Sequence, residues 1–286
     1  MSSQITTAFV QQYSANIQML SQQMGSLLRD AVTTESVVGE KAFFDQVGSV
    51  AAQLRTTRHA DTPLIDTPHS RRMLSLADYE YADLIDEQDK VRLLADPTST
   101  YARAAAAAMG RAMDDVIIAA AIGVAKTGKT GSTDTSLPSG QKVAHGSASL
   151  TIAKLLSAKQ ILDESSVDPS IQRYLVCAPA QISTLLGTTQ VTSSDFNTVK
   201  ALATGQVDSF MGFKFITSNR LTLDSDGNRA VIAFAQEGIK LGIGKEPTAR
   251  IDERADKSYA VQVYYCQTLG CVRMQEEMVV EIACTE

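Results

Sequence analysis

The chain has 286 residues, 44% of them hydrophobic and 20% charged, with a formal net charge of −6 and a pI near 5.2. These values describe a folded protein of one large or two smaller domains and exclude a disordered one. The acidic balance argues against a dedicated nucleic-acid binder, which carries a basic excess.

The opening Met1-Ser-Ser-Gln-Ile-Thr-Thr has neither the basic start nor the apolar block of a secretory signal. No apolar stretch reaches membrane-spanning length. Residues 6–31 predict an amphipathic helix, since Tyr13, Ile17, Leu20, Met24, Leu27 and Ala31 step by alternating fours and threes. Such a helix packs either on its own domain or on a neighbour.

From Val47 to Leu84 the texture changes. Arg55, Arg58, Arg71 and Arg72, together with Pro63 and Pro68, sit in sequence without a helical apolar stripe. A structureless loop of this length is unusual inside a domain. Folded as a two-stranded hairpin, each leg would reach about 55 Å at roughly 3.3 Å per residue. One globule of this size has a radius of gyration of about 19 Å. The segment therefore reads as a projecting arm, or else as an irregular surface loop. Its four arginines serve either as solvated charge or as partners for carboxylates of another subunit.

Asp96-Pro97-Thr-Ser-Thr100 is a helix-start signature. An Ala-rich helix follows from Thr100 to Ala125, with Tyr101, Ala105, Ala108, Met109, Ala112, Met113, Val116, Ala120 and Val124 on one face. Arg103, Arg111, Asp114 and Asp115 lie on the other. About 25 residues at 1.5 Å rise make a rod near 38 Å long.

Gly123-Val-Ala-Lys-Thr-Gly128-Lys129-Thr130 then matches the phosphate-loop pattern G-x-x-x-x-G-K-[ST] at every position. A working phosphate loop needs a strand before it and a helix after it, so that free N–H groups and a positive dipole end face the phosphates. Here a helix comes first, and its C-terminus carries the negative end of the dipole. The segment that follows holds Pro138, Gly131 and Gly140 and resists becoming a helix. Nucleotide binding is therefore not expected.

Lys126–Ser149 reads as a flexible Gly/Ser/Thr loop and a candidate domain junction. Ile152–Leu162 predicts a helix, Tyr174–Ala178 a buried strand, Pro179–Leu186 a helix, and Thr188–Gly205 a polar loop with a helical turn. This is the alternation of a small α/β layer. Phe213–Thr217 and Arg229–Phe234 predict strands around an Asp224–Asn228 turn. That turn resembles half a calcium loop but has no closing Glu. Tyr259–Gln267 alternates as a strand, Gly270 marks a turn, and Met278–Ala283 predicts a final strand.

Catalytic chemistry is not apparent. There is no G-x-S-x-G elbow, H-E-x-x-H pair or G-x-G-x-x-G fingerprint. Cys177, Cys266, Cys271 and Cys284 lack C-x-x-C spacing and read as packed thiols of a reducing cytoplasm. Cys177 follows a strand, as some nucleophiles do, but has no His nearby in sequence. His59, His69 and His145 are scattered in polar sequence, which argues against zinc. No catalytic, cofactor or metal residue is assigned.

The order of elements resembles the major capsid protein of tailed double-stranded DNA bacteriophages. The resemblance rests on Asp96-Pro97-Thr-Ser-Thr-Tyr101 before an Ala-rich helix with Asp114-Asp115, and on Gly205-Gln-Val-Asp-Ser-Phe-Met-Gly212-Phe213. Thr217-Ser218-Asn219, Ala235-Gln-Glu-Gly-Ile239 and Gly270-x-x-x-Met-Gln-Glu-Glu-Met-Val-Val280 add to it. It covers essentially the whole chain, though each string alone is weakly specific.

The resemblance implies an α+β tailed-phage capsid fold. Residues 1–46 would be an N-terminal arm and 47–95 an extended loop. Residues 96–149 would be a spine helix and junction, 150–225 an axial domain, and 226–286 the sheet of a peripheral domain. It further implies a non-enzymatic subunit that forms hexamers and pentamers of an icosahedral shell in the virion, assembled in the bacterial cytoplasm. Partners would be a separate scaffolding protein, a portal, a decoration protein, and packaged DNA held without sequence-specific binding; no membrane is involved. The Lys–Asn cross-link of some relatives is not carried over, because Lys41 precedes the extended loop. The alternatives are a P-loop NTPase through Gly123–Thr130 and a soluble α+β binding protein, which would be a lone monomer.

Overall fold

The structure, a computed structural model, describes residues 22–58, 62, 64–85, 98–187, 209–224 and 227–285. The first part of the expected 6–31 helix, the Asp96-Pro97 start signal and the Thr188–Gly205 loop lie outside these residues. Among them are three α-helices and fourteen strands in three sheets.

Helix α1, Thr98–Ile122, is the expected spine. It ends three residues before Ala125 because Gly123 follows and Ala125–Thr127 is already strand β5. Ala105, Met109 and Met113 are buried as the periodicity required, and so are Ile117, Ile118 and Ala121, whereas Val124 lies past the helix end and is exposed. One residue overturns the pattern. Asp114, assigned to the polar face, is fully buried. Its carboxylate accepts the backbone N–H groups of Leu27 (3.1 Å to each oxygen) and Leu28 (3.1 Å). A buried carboxylate is tolerated because backbone donors satisfy it. Residues 22–28 are not helical, and only a 3-10 turn, Arg29–Ala31, follows them.

Strands β1 (Thr33–Ser36), β2 (Lys41–Val47), β3 (His69–Ser75) and β4 (Ala77–Ile85) come next. After α1 come β5, β6 (Thr133–Thr135), β7 (Lys142–Val143), helix α2 (Ile152–Glu164), β8 (Arg173–Cys177) and helix α3 (Pro179–Leu186). Then follow β9 (Ser209–Phe210), β10 (Phe213–Thr217), β11 (Asn228–Ala235), β12 (Ile239–Arg254), β13 (Ala260–Arg273) and β14 (Val279–Thr285). The sheets have the orders β1-β12-β13-β4, β2-β3-β5-β6 and β7-β14-β11-β8-β10-β9.

The chain divides into two units. One gathers the described residues of Met1–Ser26, Asp78–Ala112 and Lys245–Thr268, the other those of Leu27–Ala77, Met113–Gly244 and Leu269–Glu286. The six-stranded sheet belongs wholly to the second unit. Every residue of β8 in it is buried, consistent with its short apolar run. β8 pairs in parallel with β10 and antiparallel with β11, and β11 pairs antiparallel with β14. Strands from both sides of the expected 225/226 boundary thus share one sheet. Helix α2 starts at its N-cap Thr151, whose hydroxyl accepts the Lys154 N–H. Helix α3 begins with Pro179, and the Gln181 side chain accepts the Ala178 N–H at 3.0 Å.

Lys126–Ser149 is not a loose junction. It holds β5, β6 and β7 and lies inside the second unit. Gly128 (φ +88°) and Gly131 (φ +70°) turn β5 back onto β6. Gly270 is not a turn either. It is buried within β13, where an added Cβ would stand 2.2 Å from the Ser75 carbonyl oxygen. The glycine is there so that β3 can end against β13.

Candidate assembly surface

β2 and β3 form a hairpin whose register runs from Lys41↔Ser75 to Val47↔His69. Seven pairs at about 3.3 Å per residue give a ladder of roughly 23 Å. This is shorter than the legs expected from Val47 to Leu84, because residues 77–85 take a place beside β13 instead. The root is firmly held. Phe44 and Leu74 are buried with Val37, Ala125, Val272 and Met274. The Gln46 side-chain amide donates to the Met274 carbonyl at 2.8 Å.

Beyond Gly48, whose N–H donates to the Pro68 carbonyl at 2.8 Å, the tip buries almost nothing. Leu54 is 88% exposed and Leu64 97% exposed, and Val47, Val50 and Ile65 are also exposed. Covering such side chains is worth about 1.5–3 kcal/mol each. Several on one short tip form a surface that a lone chain leaves unsatisfied.

Two of the arginines proposed for another subunit are committed at home. Arg71 pairs with Asp45 and lies 5.6 Å over the Phe43 ring. Its guanidinium holds the Asp45 carboxyl below the usual range. Arg72 is buried and pairs with Glu276 at 2.5 Å. Arg55 is exposed and its Nε donates to the Thr57 carbonyl at 3.1 Å.

Glu276 also lies 3.6 Å from Arg273, which is 0% exposed. Arg273 was not identified from sequence. Its Nη1 donates to the carbonyls of Ala121 (2.9 Å) and Gly123 (2.7 Å), and Nη2 to that of Thr135 (3.0 Å). The last carbonyls of α1 thereby gain donors, and the negative dipole end gains a cation. Burial pushes the Arg273 guanidinium pKa down, and Glu276 opposes that push. The only advance signal was the charged Arg273–Glu276 spacing between two apolar strands.

This arrangement disposes of the phosphate loop. Gly123 to Thr130 run from a helix C-terminus through β5 into a hairpin turn, and the protein's own cation occupies the helix end. The described ends of the half-calcium string are bonded to each other. Asp224 accepts from the Asn228 N–H at 2.8 Å and its side-chain amide at 3.0 Å. Among the described residues no group of His, Cys, Asp and Glu could hold a metal. No helix among them is long and apolar enough to cross a membrane. Cys177 is buried and its thiol is pushed up to about 12 by burial, which leaves it a poor nucleophile.

The second unit also carries an open groove of about 880 Å³ beside β3 and the β5–β6 turn. His69, Arg71, Arg72 and Lys129 line it, with Asp45.

The fold is one seen in virus shells. The chain aligns with a subunit of the capsid of cyanophage P-SCSP1u with a TM-score of 0.77 and 16% identity, over 99% of this chain and 94% of that one. For the capsid of Ralstonia phage GP4 the values are 0.76 and 10%, over 97% and 95%. For the cyanophage Pam1 capsid they are 0.74 and 12%, over 98% and 97%. No curated protein matches the chain. The family model described as phage capsid protein matches residues 5–286. The chain thus belongs to the phage capsid protein family and is a major capsid subunit, built to form the shell of a virion.

Proposed function

We propose that copies of this chain close into hexamers and pentamers of an icosahedral shell around double-stranded DNA, and that the subunit performs no catalysis. Head-to-tail contacts that close make rings. The observation that carries this reading is the hairpin tip, 48–68, whose apolar side chains lie uncovered on a rigidly anchored root. Laid across the next subunit, each tip contributes a modest contact. Simultaneous engagement of many tips raises the effective concentration of every other contact. The acidic balance suits a container that must not adhere to its cargo, since phosphate binding scales with Lys and Arg contacts.

In this reading the segment before β1 serves as the arm and the β2–β3 hairpin, 41–75, as the extended loop. The axial part includes β8 and β10 with the strands β11 and β14 that pair beside them, and the peripheral part is built on α1 and the outer lengths of β12 and β13. A separate scaffolding protein directs assembly in the host cytoplasm, and a portal and a decoration protein complete the head. Replacing residues 50–66 by a short Gly-containing turn tests the tip. The subunit is expected to keep its melting temperature and lose shells in electron micrographs. Normal shells from that variant would end the proposal.

A further inference from the structure

One stretch of the chain is more acidic than any other. Residues 78–89 hold Asp78, Glu80, Asp83, Asp86, Glu87 and Asp89 and no Lys or Arg. The chain has 32 acidic and 26 basic residues, so setting these six aside leaves 26 of each. No other stretch free of Lys and Arg holds as many carboxylates; the next, 274–286, holds Glu276, Glu277, Glu281 and Glu286. The described part of 78–89 lies in strand β4, an edge of its sheet among the described residues. Asp78 and Glu80 are exposed and share one face.

Among the described residues, the bonds that the carboxylates of β4 make come from uncharged groups. Thr268 donates to Asp78 at 2.6 Å, the Tyr264 hydroxyl faces Glu80, and the Leu84 N–H donates to Asp83 at 2.9 Å. Like charges crowded along an edge repel one another and resist casual strand pairing. A cationic surface would relieve that repulsion.

The 880 Å³ groove is such a surface. Lys129 stands exposed at it, with no carboxylate partner among the described residues. Arg72 is more than nine-tenths buried and its charge is met by Glu276, while its Nε and Nη1 have no hydrogen-bond partner among the described residues. The groove's own carboxylate, Asp45, is already held by Arg71. An anion arriving there meets the exposed Lys129, the one groove cation without a carboxylate among the described residues.

We propose that the groove beside β3 and the β5–β6 turn of one copy receives the acidic strand β4 of a second copy. The inference rests on the shell reading above and names one of its contacts. Identical copies at high local concentration supply this strand, part of the stretch with the most carboxylates uninterrupted by a Lys or Arg. DNA phosphate is the competing occupant.

The test uses the full chain with Lys129→Glu, Glu80→Lys and the two combined. Each side chain is exposed, so the subunit's melting temperature should not move. Each single reversal is expected to lower shell yield about tenfold or more, because a repulsive contact recurs throughout the lattice. The combined swap is expected to restore yield to within about threefold. Single variants that assemble like the wild type, or a swap no better than either single, would overturn the proposal. So would Lys129→Glu shells that form normally but lose packaged DNA, which would point to phosphate. A wild-type chain that yields no shell, even with its scaffold, would instead sink the broader reading. Should a reversal misfold, Lys129→Ala and Glu80→Gln serve in its place: assembly is expected to lose part of its salt dependence, and an unchanged slope counts against the contact.

Discussion

The Arg273 guanidinium donates to the Gly123 carbonyl at 2.7 Å, and Gly123 is the first residue of the phosphate-loop match. One bond thus explains both how the spine helix ends and why the motif beside it is idle. It also joins the helix end to the hairpin root, since Glu276 lies between Arg273 and Arg72. Arg273→Met keeps the bulk but takes a donor from three carbonyls and leaves Glu276 without one of its two neighbouring cations. A loss of about 3–5 kcal/mol is expected from breaking such a buried pair on one side. Chemical denaturation of unassembled subunits would measure it. A loss below about 1 kcal/mol would mean that the guanidinium is dispensable.

Nucleotide chemistry at Gly123–Thr130 is expected to be absent. No strand precedes the motif, no helix follows it, and a hairpin turn holds Lys129. Calorimetric titration of ATP with magnesium should give no heat of binding, and Lys129→Ala should change nothing in that titration. Saturable binding that the substitution removes would reopen the enzymatic reading.

Several elements were legible from the chain because local pattern and tertiary demand agreed. Helix α3 and strand β10 fall on the predicted residues, and α1, α2 and β8 within three residues of them. Strand β12 was not legible. Gly242, Gly244 and Pro247 interrupt it, and such residues read as breakers. In the fold, Gly242 removes a side chain that would press on Leu74. Asp114 was misplaced because periodicity assigns charge to solvent. Its partners, the amides of Leu27 and Leu28, lie more than eighty residues away in sequence. Arg273 escaped for the same reason, since its acceptors are far-off backbone carbonyls that no side-chain pattern announces.

Thiol reactivity offers a simple check on burial. Burial pushes the Cys177 thiol up to about 12 and the Cys284 thiol up to about 11. Both groups stay protonated through neutral pH, while Cys266 is only half-buried. Iodoacetamide at pH 8 is expected to label Cys266 first, with Cys177 and Cys284 reacting only on denaturation. Rapid labelling of Cys177 in the folded subunit would contradict the packed six-stranded sheet.

Gly270→Ala probes the crossing of β13 and β3. The new Cβ would stand 2.2 Å from the Ser75 carbonyl oxygen, well inside contact distance, so backbone must shift. Overpacking of this kind costs about 1–3 kcal/mol. The strain falls on the last residue of β3, so hydrogen exchange of residues 69–75 should quicken more than that of β8. Uniform protection in both strands would show that the crossing tolerates a methyl group.

Asp114 governs how the N-terminal segment lies on the spine. Gly110, one turn earlier, lets the backbone of Gly25 pass so close that an added Cβ would stand 2.3 Å away. Arg111 holds Gln22 and Gln23 through bonds of 2.8 and 3.2 Å. Asp114 then takes the amides of Leu27 and Leu28, and Leu28 is itself buried. Asp114→Ala strands one buried and one partly buried donor and is expected to cost about 1–3 kcal/mol. Asp114→Asn keeps an acceptor oxygen and should lose less. Because the damage is local, limited proteolysis is the sharper readout: cleavage before Leu28 should accelerate in the Ala variant while the six-stranded sheet stays intact. Equal cleavage rates in wild type and variant would show that the helix face, and not the carboxylate, secures this segment.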